Sequence, residues 1–249
     1  MKKTANIILQ GKGGVGKSFI SSLIAQYYHE LRGDNGESLV CVDTDPNNAT
    51  FFSISALSVN HLTLLDRFGK FDPRKFDTLV LNMLQSEDKD FVIDNGATSF
   101  IPLIEYISEN DTFATLSNKY EIILHVPIVG GQAQKDTING FVQLLEKYPG
   151  VKFVVWLNEF QGLIEDADGK EFEDMDVYKK YKKSIFALVY IDAQNPKTFG
   201  KDIEDMTKES LTFSEVLMDA RFNLIAKQRL KMFKDKIFGY LPKILGEKV

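Results

Sequence analysis

Short apolar runs alternate along the chain with longer segments in which apolar side chains recur at helical spacing. The apolar runs have the length and continuous hydrophobicity of strands buried on both faces, and they lie at 5–9, 38–43, 90–94, 120–128, 151–157 and 184–191. The periodic segments predict helices, and they lie at 17–31, 62–68, 76–84, 135–147 and 197–209. A turn is expected at 34–37. This alternation predicts an α/β fold, in which a doubly wound parallel sheet is flanked by helices.

The segment 10–18 connects the first predicted strand to the first predicted helix and reads Q-G-K-G-G-V-G-K-S. In this setting the pattern G-x-x-x-x-G-K-S is typical of a phosphate-binding loop. Glycines let the backbone approach an anion, and the turned amides and the helix N-terminus attract negative charge. The residues expected to bind the nucleotide are Gly11, Gly13, Gly14, Val15, Gly16, Lys17, Ser18 and Phe19. The alternative interpretation is a glycine-rich turn that carries an exposed lysine.

Side chains suited to phosphate and metal stand at the ends of this loop and of two strands. Lys17 is expected to contact the β- and γ-phosphates, and the Ser18 hydroxyl to hold Mg²⁺. An apolar strand ending in Asp94 is the Walker B arrangement, in which the carboxylate holds Mg²⁺, often through water. Asp43 and Asp45 follow the second strand, and carboxylates at the C-terminal end of a parallel strand lie on the ligand side. For this pair, a Pro/Asn turn with capping aspartates is the alternative.

Asn158 directly follows the strand predicted at 151–157. Its side-chain amide offers one donor and one acceptor, which suit the edge of an adenine base. The alternative is that Asn158 only forms a turn. Together these features predict a Mg²⁺-dependent nucleoside-triphosphate site at the C-terminal edge of the sheet.

The phosphate-binding loop contains a second lysine, Lys12, directly after its first glycine. With this lysine, the loop resembles the deviant phosphate loop of the ParA/MinD family of ATPases, and 43–50 resembles the family's switch I. The resemblance implies ATP as the nucleotide, slow hydrolysis, and a homodimer in the ATP state in which Lys12 reaches the partner's nucleotide. It also implies that Asp45 positions the attacking water, that Asp43 lies near the metal, and that Asn158 contacts the base.

Within that family, the segments 11–19, 94–97 and 222–232 resemble the TraL-type proteins of plasmid conjugal transfer. This resemblance implies a protein partner in DNA transfer or partition machinery. ParA/MinD proteins usually carry prolines after the Walker B aspartate. Asn-Gly-Ala stands here instead, so the details of switch II stay open, and Gly96 is expected to let it turn. On these resemblances, the expected catalytic residues are Lys12, Lys17 and Asp45, and the expected metal-binding residues are Ser18, Asp43 and Asp94.

Two segments of the second half are strongly charged. The segment 159–183 carries acidic residues before basic ones, and we expect a solvated excursion or a partner surface there. From 221 to 249 the chain has eight Lys or Arg against two acidic residues. A basic C-terminal helix is expected over about 213–245, and a capping box beginning at Thr212 would open it.

Apolar residues recur at helical spacing in this tail, at 230, 233, 237, 241 and 244, although Pro242 interrupts the stripe. Three accounts fit the pattern. The helix packs on the core with a solvated basic face, its lysines contact DNA phosphates, or it lies on a membrane surface.

Composition restricts the remaining possibilities. The 249 residues have a net charge of −5, so the chain as a whole is not a polyanion binder. Cys41 is the only cysteine, which excludes an internal disulfide or a thiolate metal site and suits a cytoplasmic protein. We expect no signal peptide, no membrane span and no structural metal. We expect residues 1–249 to form one domain.

Three classes of function stay open on the sequence. The first is an ATP-dependent switch of the ParA type that serves plasmid DNA or its transfer machinery. The second is a metabolic ligase of the dethiobiotin synthetase type, which shares the fold and the phosphate loop; Lys12 and Asp45-Pro46 favour the switch. The third is a nucleotide-bound scaffold with little hydrolysis. The fold alone does not separate them.

Overall fold

The computed structural model describes residues 2–33 and 37–246, and within them the chain forms one seven-stranded, fully parallel sheet. The strand order is β3-β2-β4-β1-β5-β6-β7. The strands are β1 (Lys3–Ile8), β2 (Leu39–Asp43), β3 (Asn60–His61), β4 (Asp90–Asp94), β5 (Tyr120–Val129), β6 (Lys152–Asn158) and β7 (Ile185–Ile191). The turn predicted at 34–37 lies, apart from Glu37, outside the described residues.

Ten α-helices accompany the sheet in the same two ranges. They are α1 (Lys17–Arg32), α2 (Arg74–Gln85), α3 (Phe100–Glu109), α4 (Thr112–Ser117), α5 (Gln134–Lys147), α6 (Asp176–Tyr181), α7 (Phe199–Lys208), α8 (Phe213–Met218), α9 (Leu224–Phe238) and α10 (Leu241–Leu245). Helices α2 to α5 pack on one face of the sheet, and α1 with α7 to α10 pack on the other. The central strands are therefore buried on both faces, which confirms the predicted doubly wound α/β fold.

A polar chain crosses the core between three neighbouring strands. The indole Nε1 of Trp156 donates to His125 Nδ1 at 3.0 Å, and His125 Nε2 lies 3.0 Å from Asn6 Oδ1. Because Nδ1 accepts a hydrogen bond, the proton of the neutral ring is on Nε2, which donates to Asn6. Burial lowers the pKa of His125 to about 3. This histidine is a neutral component of the core.

The prediction of a helix over 62–68 is wrong. The backbone N–H of Leu62 instead continues the sheet by donating to Asp43 O at 2.9 Å. The carboxylate of Asp66 then accepts from the N–H groups of Phe68 and Lys70 and closes a tight turn. An aspartate that bonds to its own backbone competes with helix formation, and this local contact overrides the apolar spacing.

The single helix expected over 213–245 is three helices, α8, α9 and α10. The expected capping box is present at Thr212 and opens α8. A second start follows at Asn223, whose Oδ1 accepts from Ala226 N at 2.9 Å and caps α9. Pro242 lies in the first turn of α10, where its missing N–H is not needed for a helical bond. The proline therefore begins a helix here.

The apolar stripe of this tail faces the sheet. Its members are all buried, and they are Leu230, Phe233, Ile237, Leu241 and Ile244. Three of the tail's lysines also pair with acidic side chains: Lys231 with Asp235, Lys234 with Glu30, and Lys236 with Asp192. The structure thus supports packing on the core, because the stripe is not on the surface where membrane contact requires it.

The segment 159–183 runs over the surface after β6 and is tied to the body at a few points. It contains three short 3₁₀ turns, the last of which ends at Ser184, a bridge between Glu165 and Glu171, and helix α6. Ile164, Phe172 and Met175 are its buried anchors. Among the helices of the described residues, none is both long enough and apolar enough to cross a bilayer.

Candidate functional site

The loop between β1 and α1 has the backbone conformation that its glycines permit. Gly16 precedes α1 with φ of +93°, a left-handed conformation that side chains disfavour. A Cβ atom at this position would also lie 2.8 Å from the Nδ2 atom of Asn158. Both constraints require glycine, so the loop is built to hold a fixed turn at the N-terminus of a sixteen-residue helix. Such a terminus favours anions.

Lys17 lies under this loop. Its Nζ donates to the carbonyl oxygen of Lys12 at 3.0 Å, and the side chain is largely buried. Burial lowers the pKa of Lys17, while the negative charges of Asp94 and Asp45 act in the opposite direction. A buried ammonium group beside two carboxylates is poised to exchange a carbonyl partner for an anionic ligand.

Asp94 ends β4 and stands level with Asp43 at the end of β2, because the two residues are register partners in the parallel ladder. Asp94 is 1% exposed, and its Oδ1 atom is the one buried side-chain N or O atom in the described residues without a hydrogen bond. Burial raises the pKa of Asp94 to about 7, and the charge of Asp43 adds to this, whereas Ser18 and Lys17 oppose it. A buried carboxylate oxygen without a donor is suited to a cation.

Asp43 holds both ends of the loop 45–52, which we call the switch loop. Its Oδ1 accepts from Asp45 N and its Oδ2 from Phe52 N, both at 2.9 Å. His61, at the end of β3, contacts the same two residues, because Nε2 lies 3.3 Å from Asp45 O and its ring lies 5.4 Å from the Phe52 ring. The sequence did not single out His61 as a functional residue, since only pairing of β3 with β2 brings it here.

The carboxylate of Asp45 forms the turn that was the alternative interpretation of this segment. Its Oδ1 accepts from Asn47 N at 2.9 Å and from Asn48 N at 3.1 Å. Asp45 also packs against Gly96, where a Cβ would lie 2.8 Å from Asp45 Cγ. The φ of Gly96 is −63°, so this glycine is needed for its close approach to the switch loop at Asp45 and not for turning the chain.

Two adjoining cavities meet at the phosphate-binding loop. The first, the phosphate cavity, has a volume of about 350 Å³ and is lined by Lys17, Ser18, Asp45 and Thr98 among others. The second, the base cavity, has a volume of about 410 Å³. It is largely apolar, with Phe19, Phe160, Ile191, Ile203 and Phe233 in its walls. Both include Gly14 and Gly16. A polar half joined to an apolar half matches the shape of a nucleotide.

Asn158 lines the base cavity, but both of its polar atoms already have partners. Its Nδ2 donates to Val15 O at 3.2 Å, and its Oδ1 accepts from Phe160 N at 3.3 Å. The second contact is the turn that was the alternative for this residue. Adenine contact by Asn158 therefore stays a prediction and requires that one of these bonds be released.

Lys12 points away from the phosphate cavity of its own chain. Its Nζ lies 2.8 Å from Asp136 Oδ2, and both side chains are about half exposed. The two residues line a separate cavity of about 360 Å³ between α3 and α5, which we call the Lys12 cavity. Asp136 was not among the expected site residues, because the first turn of a helix commonly carries an aspartate for capping reasons alone.

Three known proteins are similar to this chain in sequence or in fold. A TraL protein of Escherichia coli is 42% identical over 238 residues, covering 95% of this chain and 96% of that protein. The MinD cell division protein of Aquifex aeolicus superposes with a TM-score of 0.57 and 16% identity, covering 99% and 98% of the two chains. A chain of the MinC:MinD cell division protein complex of Aquifex aeolicus gives 0.53 and 16%, covering 99% and 97%. No protein-family model matches the sequence.

Proposed function

The chain belongs to the TraL family and has the P-loop fold of MinD, and on this premise we propose that it binds Mg²⁺-ATP and hydrolyses it slowly as a dimeric switch. The switch serves plasmid DNA transfer or partition through a protein partner. One observation carries the proposal. Lys17, the first residue of α1 after the glycine loop, interacts with Asp94, whose Oδ1 atom has no hydrogen-bond partner. The N-terminus of this helix favours an anion beside them.

Magnesium fits the residues present. Ser18 and Asp94 would hold the ion, since a hydroxyl and a buried carboxylate oxygen without a donor are the oxygen ligands that Mg²⁺ prefers. When bound, the ion neutralises charge on the phosphate oxygens. Asp43 would act near the ion without binding it directly, because both of its oxygens already accept hydrogen bonds from backbone N–H groups of the switch loop.

The loop residues bind the phosphate chain, and the base lies in the adjoining apolar cavity. Backbone N–H groups between Gly11 and Phe19 surround the phosphates, and Lys17 turns from the Lys12 carbonyl to the β- and γ-phosphates. Adenine is the base if Asn158 reads it. Equal affinity for GTP and ATP would count against that role.

Hydrolysis requires a positioned water molecule and a second cation. Asp45 lines the phosphate cavity, and its Oδ2 accepts no hydrogen bond from any described residue, so this oxygen is available to orient water. Lys12 faces outwards and supplies its charge to the nucleotide of the partner subunit, as an arginine finger does in trans.

The C-terminal edge of the sheet supports dimer formation there. Ile101 and Phe160 expose 46% and 71% of their surface beside the phosphate-binding loop, each lining one of the cavities that the loop borders. Apolar side chains concentrated next to a binding site are typical of a protein interface. DNA contact by the tail is a weaker part of the proposal, because the lysines it would use are paired within the chain.

A metabolic ligase is the second candidate, because the Lys12 cavity has room for a small acceptor molecule next to the phosphate site. Phosphate release from ATP without any added acceptor would favour the switch. Tight nucleotide binding without phosphate release would favour the scaffold.

The central test is Lys17→Ala, measured as the affinity for Mg²⁺-ATP by calorimetry. We expect affinity to fall by at least about 100-fold, because the triphosphate loses its main cation. The control is Lys147→Ala, which removes an exposed lysine at the far end of α5 and is expected to be silent. Unchanged affinity in Lys17→Ala would overturn the proposed nucleotide site.

A further inference from the structure

Two side-chain amides, one from the last residue of β6 and one from the segment after it, hold successive carbonyl groups of the phosphate-binding loop. Gln161 Nε2 donates to Gly14 O at 2.8 Å, and Asn158 Nδ2 donates to Val15 O at 3.2 Å. Both donors are neutral, so they add no charge to the site. Their effect is on the orientation of the two peptide units, 14–15 and 15–16.

The orientation of a carbonyl fixes the orientation of the N–H in the same peptide unit. In a planar trans peptide the C=O and N–H bonds point in opposite directions. With the carbonyl of Gly14 turned to Gln161, the N–H of Val15 points away from that side chain. With the carbonyl of Val15 turned to Asn158, the N–H of Gly16 does the same.

From this geometry we propose that Gln161 and Asn158 are positioning residues that aim the Val15 and Gly16 N–H groups at the phosphate chain of the bound nucleotide. The proposal rests on the proposed nucleotide binding and deepens it. Neither side chain needs to touch the ligand to act in this way.

Glycine makes such a restraint necessary. Gly14 has φ of +71°, and a glycine visits both signs of φ with little cost. The 14–15 peptide unit therefore has a weak intrinsic preference for one orientation. A hydrogen bond from outside the loop supplies that preference and removes orientations in which a carbonyl oxygen faces the phosphates.

The segment that carries Gln161 is itself held firmly. A Cβ atom on Gly130, at the end of β5, would lie 2.2 Å from the carbonyl oxygens of Gly162 and Leu163, so the two backbones are in direct contact. Gln134 on α5 donates from Nε2 to Glu165 O at 2.7 Å. The paired glycines after β5 thus serve this packing, and Gln161 starts from a fixed backbone.

The test compares nucleotides with and without phosphates. Gln161→Met and Gln161→Leu remove the donor at similar size and without a charge change. We expect each to weaken ADP and ATP binding by about tenfold, the effect of one lost hydrogen bond at a charged site. Adenosine affinity, measured by competition with a fluorescent ADP analogue, should stay within about twofold of wild type.

Asn158→Leu is the parallel variant, because it removes the donor to Val15 O at similar size and without a charge change, although Phe160 N also loses its acceptor. Because Asn158 also lines the base cavity, its readout is the loss of ADP affinity beyond any loss of adenosine affinity. The matched control is Gln132→Met, since Gln132 is an exposed neighbour whose side chain forms no hydrogen bond with the described residues. Thermal unfolding of each variant checks that the fold is kept.

The outcomes distinguish a failure of this inference from a failure of the proposed function. If the wild-type protein binds neither ADP nor ATP, the proposed function is wrong. If the wild type binds both, unchanged ADP affinity in Gln161→Met overturns the positioning role. Equal losses for adenosine and ADP overturn it too, because they indicate a general disturbance of the site.

Discussion

Lys12 and Asp136 form a salt bridge, with Lys12 Nζ 2.8 Å from Asp136 Oδ2, across the mouth of the Lys12 cavity. The hydrogen bond from Lys12 lowers the pKa of Asp136, and it directs the Lys12 side chain away from the phosphate cavity of its own chain. Two cations in one small loop repel each other. This repulsion is reduced when Lys17 lies buried under the loop and Lys12 points out of it towards Asp136. The exposed pair is weak enough to be exchanged for a phosphate.

The first prediction concerns the release of Lys12. Asp136→Asn keeps the shape of the side chain and removes its charge, so Lys12 leaves more easily for the partner's nucleotide. We expect the ATP-dependent dimer to form at about threefold lower protein concentration, with ATP affinity of the monomer unchanged. Analytical ultracentrifugation with and without ATP measures this. A weaker dimer would show instead that Asp136 itself belongs to the interface.

The second prediction is a pH dependence that comes from Asp94. Its pKa of about 7 in the folded chain exceeds the ordinary value of 3.8, so the folded state holds this proton more tightly than the unfolded state. The free energy of unfolding of the ligand-free protein should therefore fall as pH rises from about 4 to 7. The loss is on the order of 4 kcal/mol. Urea unfolding at a series of pH values tests this.

Magnesium binding should show the opposite trend. Only the ionised carboxylate binds a cation, so Mg²⁺ affinity in the presence of ATP should rise through pH 7, with proton release at pH 6. Asp94→Asn is the isosteric control. It should be more stable than wild type at pH 8 and lose the magnesium dependence. Equal Mg²⁺ affinity at pH 6 and pH 8 in the wild type would mean that Asp94 is already ionised.

The third prediction concerns the C-terminal helix α9. Phe233 is buried and forms part of the base cavity, whereas its neighbour Met232 is about half exposed. Phe233→Ala should cost about 3–5 kcal/mol of stability and weaken nucleotide binding, while Met232→Ala should cost under about 1 kcal/mol. Stability comes from chemical denaturation and affinity from calorimetry. If Phe233→Ala leaves both unchanged, the tail is not part of the core.

A DNA-binding assay distinguishes two roles for the lysines of the tail. If Lys231, Lys234 and Lys236 contact phosphates, their replacement by Glu should abolish a binding that weakens steeply with salt. If they only pair with Asp235, Glu30 and Asp192, the same triple variant should lower stability and leave no DNA binding to lose. Gel-shift titrations at two salt concentrations distinguish the two results, and the ion pairs of the structure favour the second.

Much of the sheet could be predicted because its strands are buried on both faces and read as continuous apolar runs. Asp43 and Asp94 could be placed together for the same reason, since the ends of adjacent parallel strands meet. The two-residue strand β3 was missed, because nothing in its composition distinguishes it from a loop. His61 was consequently missed as a contact of the switch loop.

The contacts that could not be predicted are those between loops. Gln161 reaches Gly14 across 147 positions, and Asp136 reaches Lys12 across 124. Such contacts depend on the paths of the loop backbones, which the sequence does not show. The need for glycine at Gly130, for example, is explained only by the neighbouring segment that packs against it. Asn158 lines the base cavity, and its contact with a base stays a prediction; its hydrogen bond to the phosphate-binding loop has no signature in the sequence.

The fourth prediction assigns Lys12 and Asp45 to different subunits of one working site. Lys12→Ala should keep ATP binding and lose ATP-induced dimer formation and hydrolysis, because the partner's phosphates lose their outer cation. Asp45→Ala should bind ATP and turn it over far more slowly, since water orientation matters mainly in the transition state. Phosphate release and light scattering with ATP measure the two properties of each variant.

Mixing the two variants decides whether Lys12 acts in trans. Each heterodimer then contains one site with an intact Asp45 and a partner's intact Lys12, and a second site that lacks both. We expect the mixture to regain hydrolysis, up to about half of the wild-type rate for each heterodimer, because one of two sites is complete. Neither variant alone can reach this rate. If a heterodimer forms and releases no phosphate, Lys12 acts within its own subunit. The salt bridge to Asp136 is then the contact through which Lys12 acts.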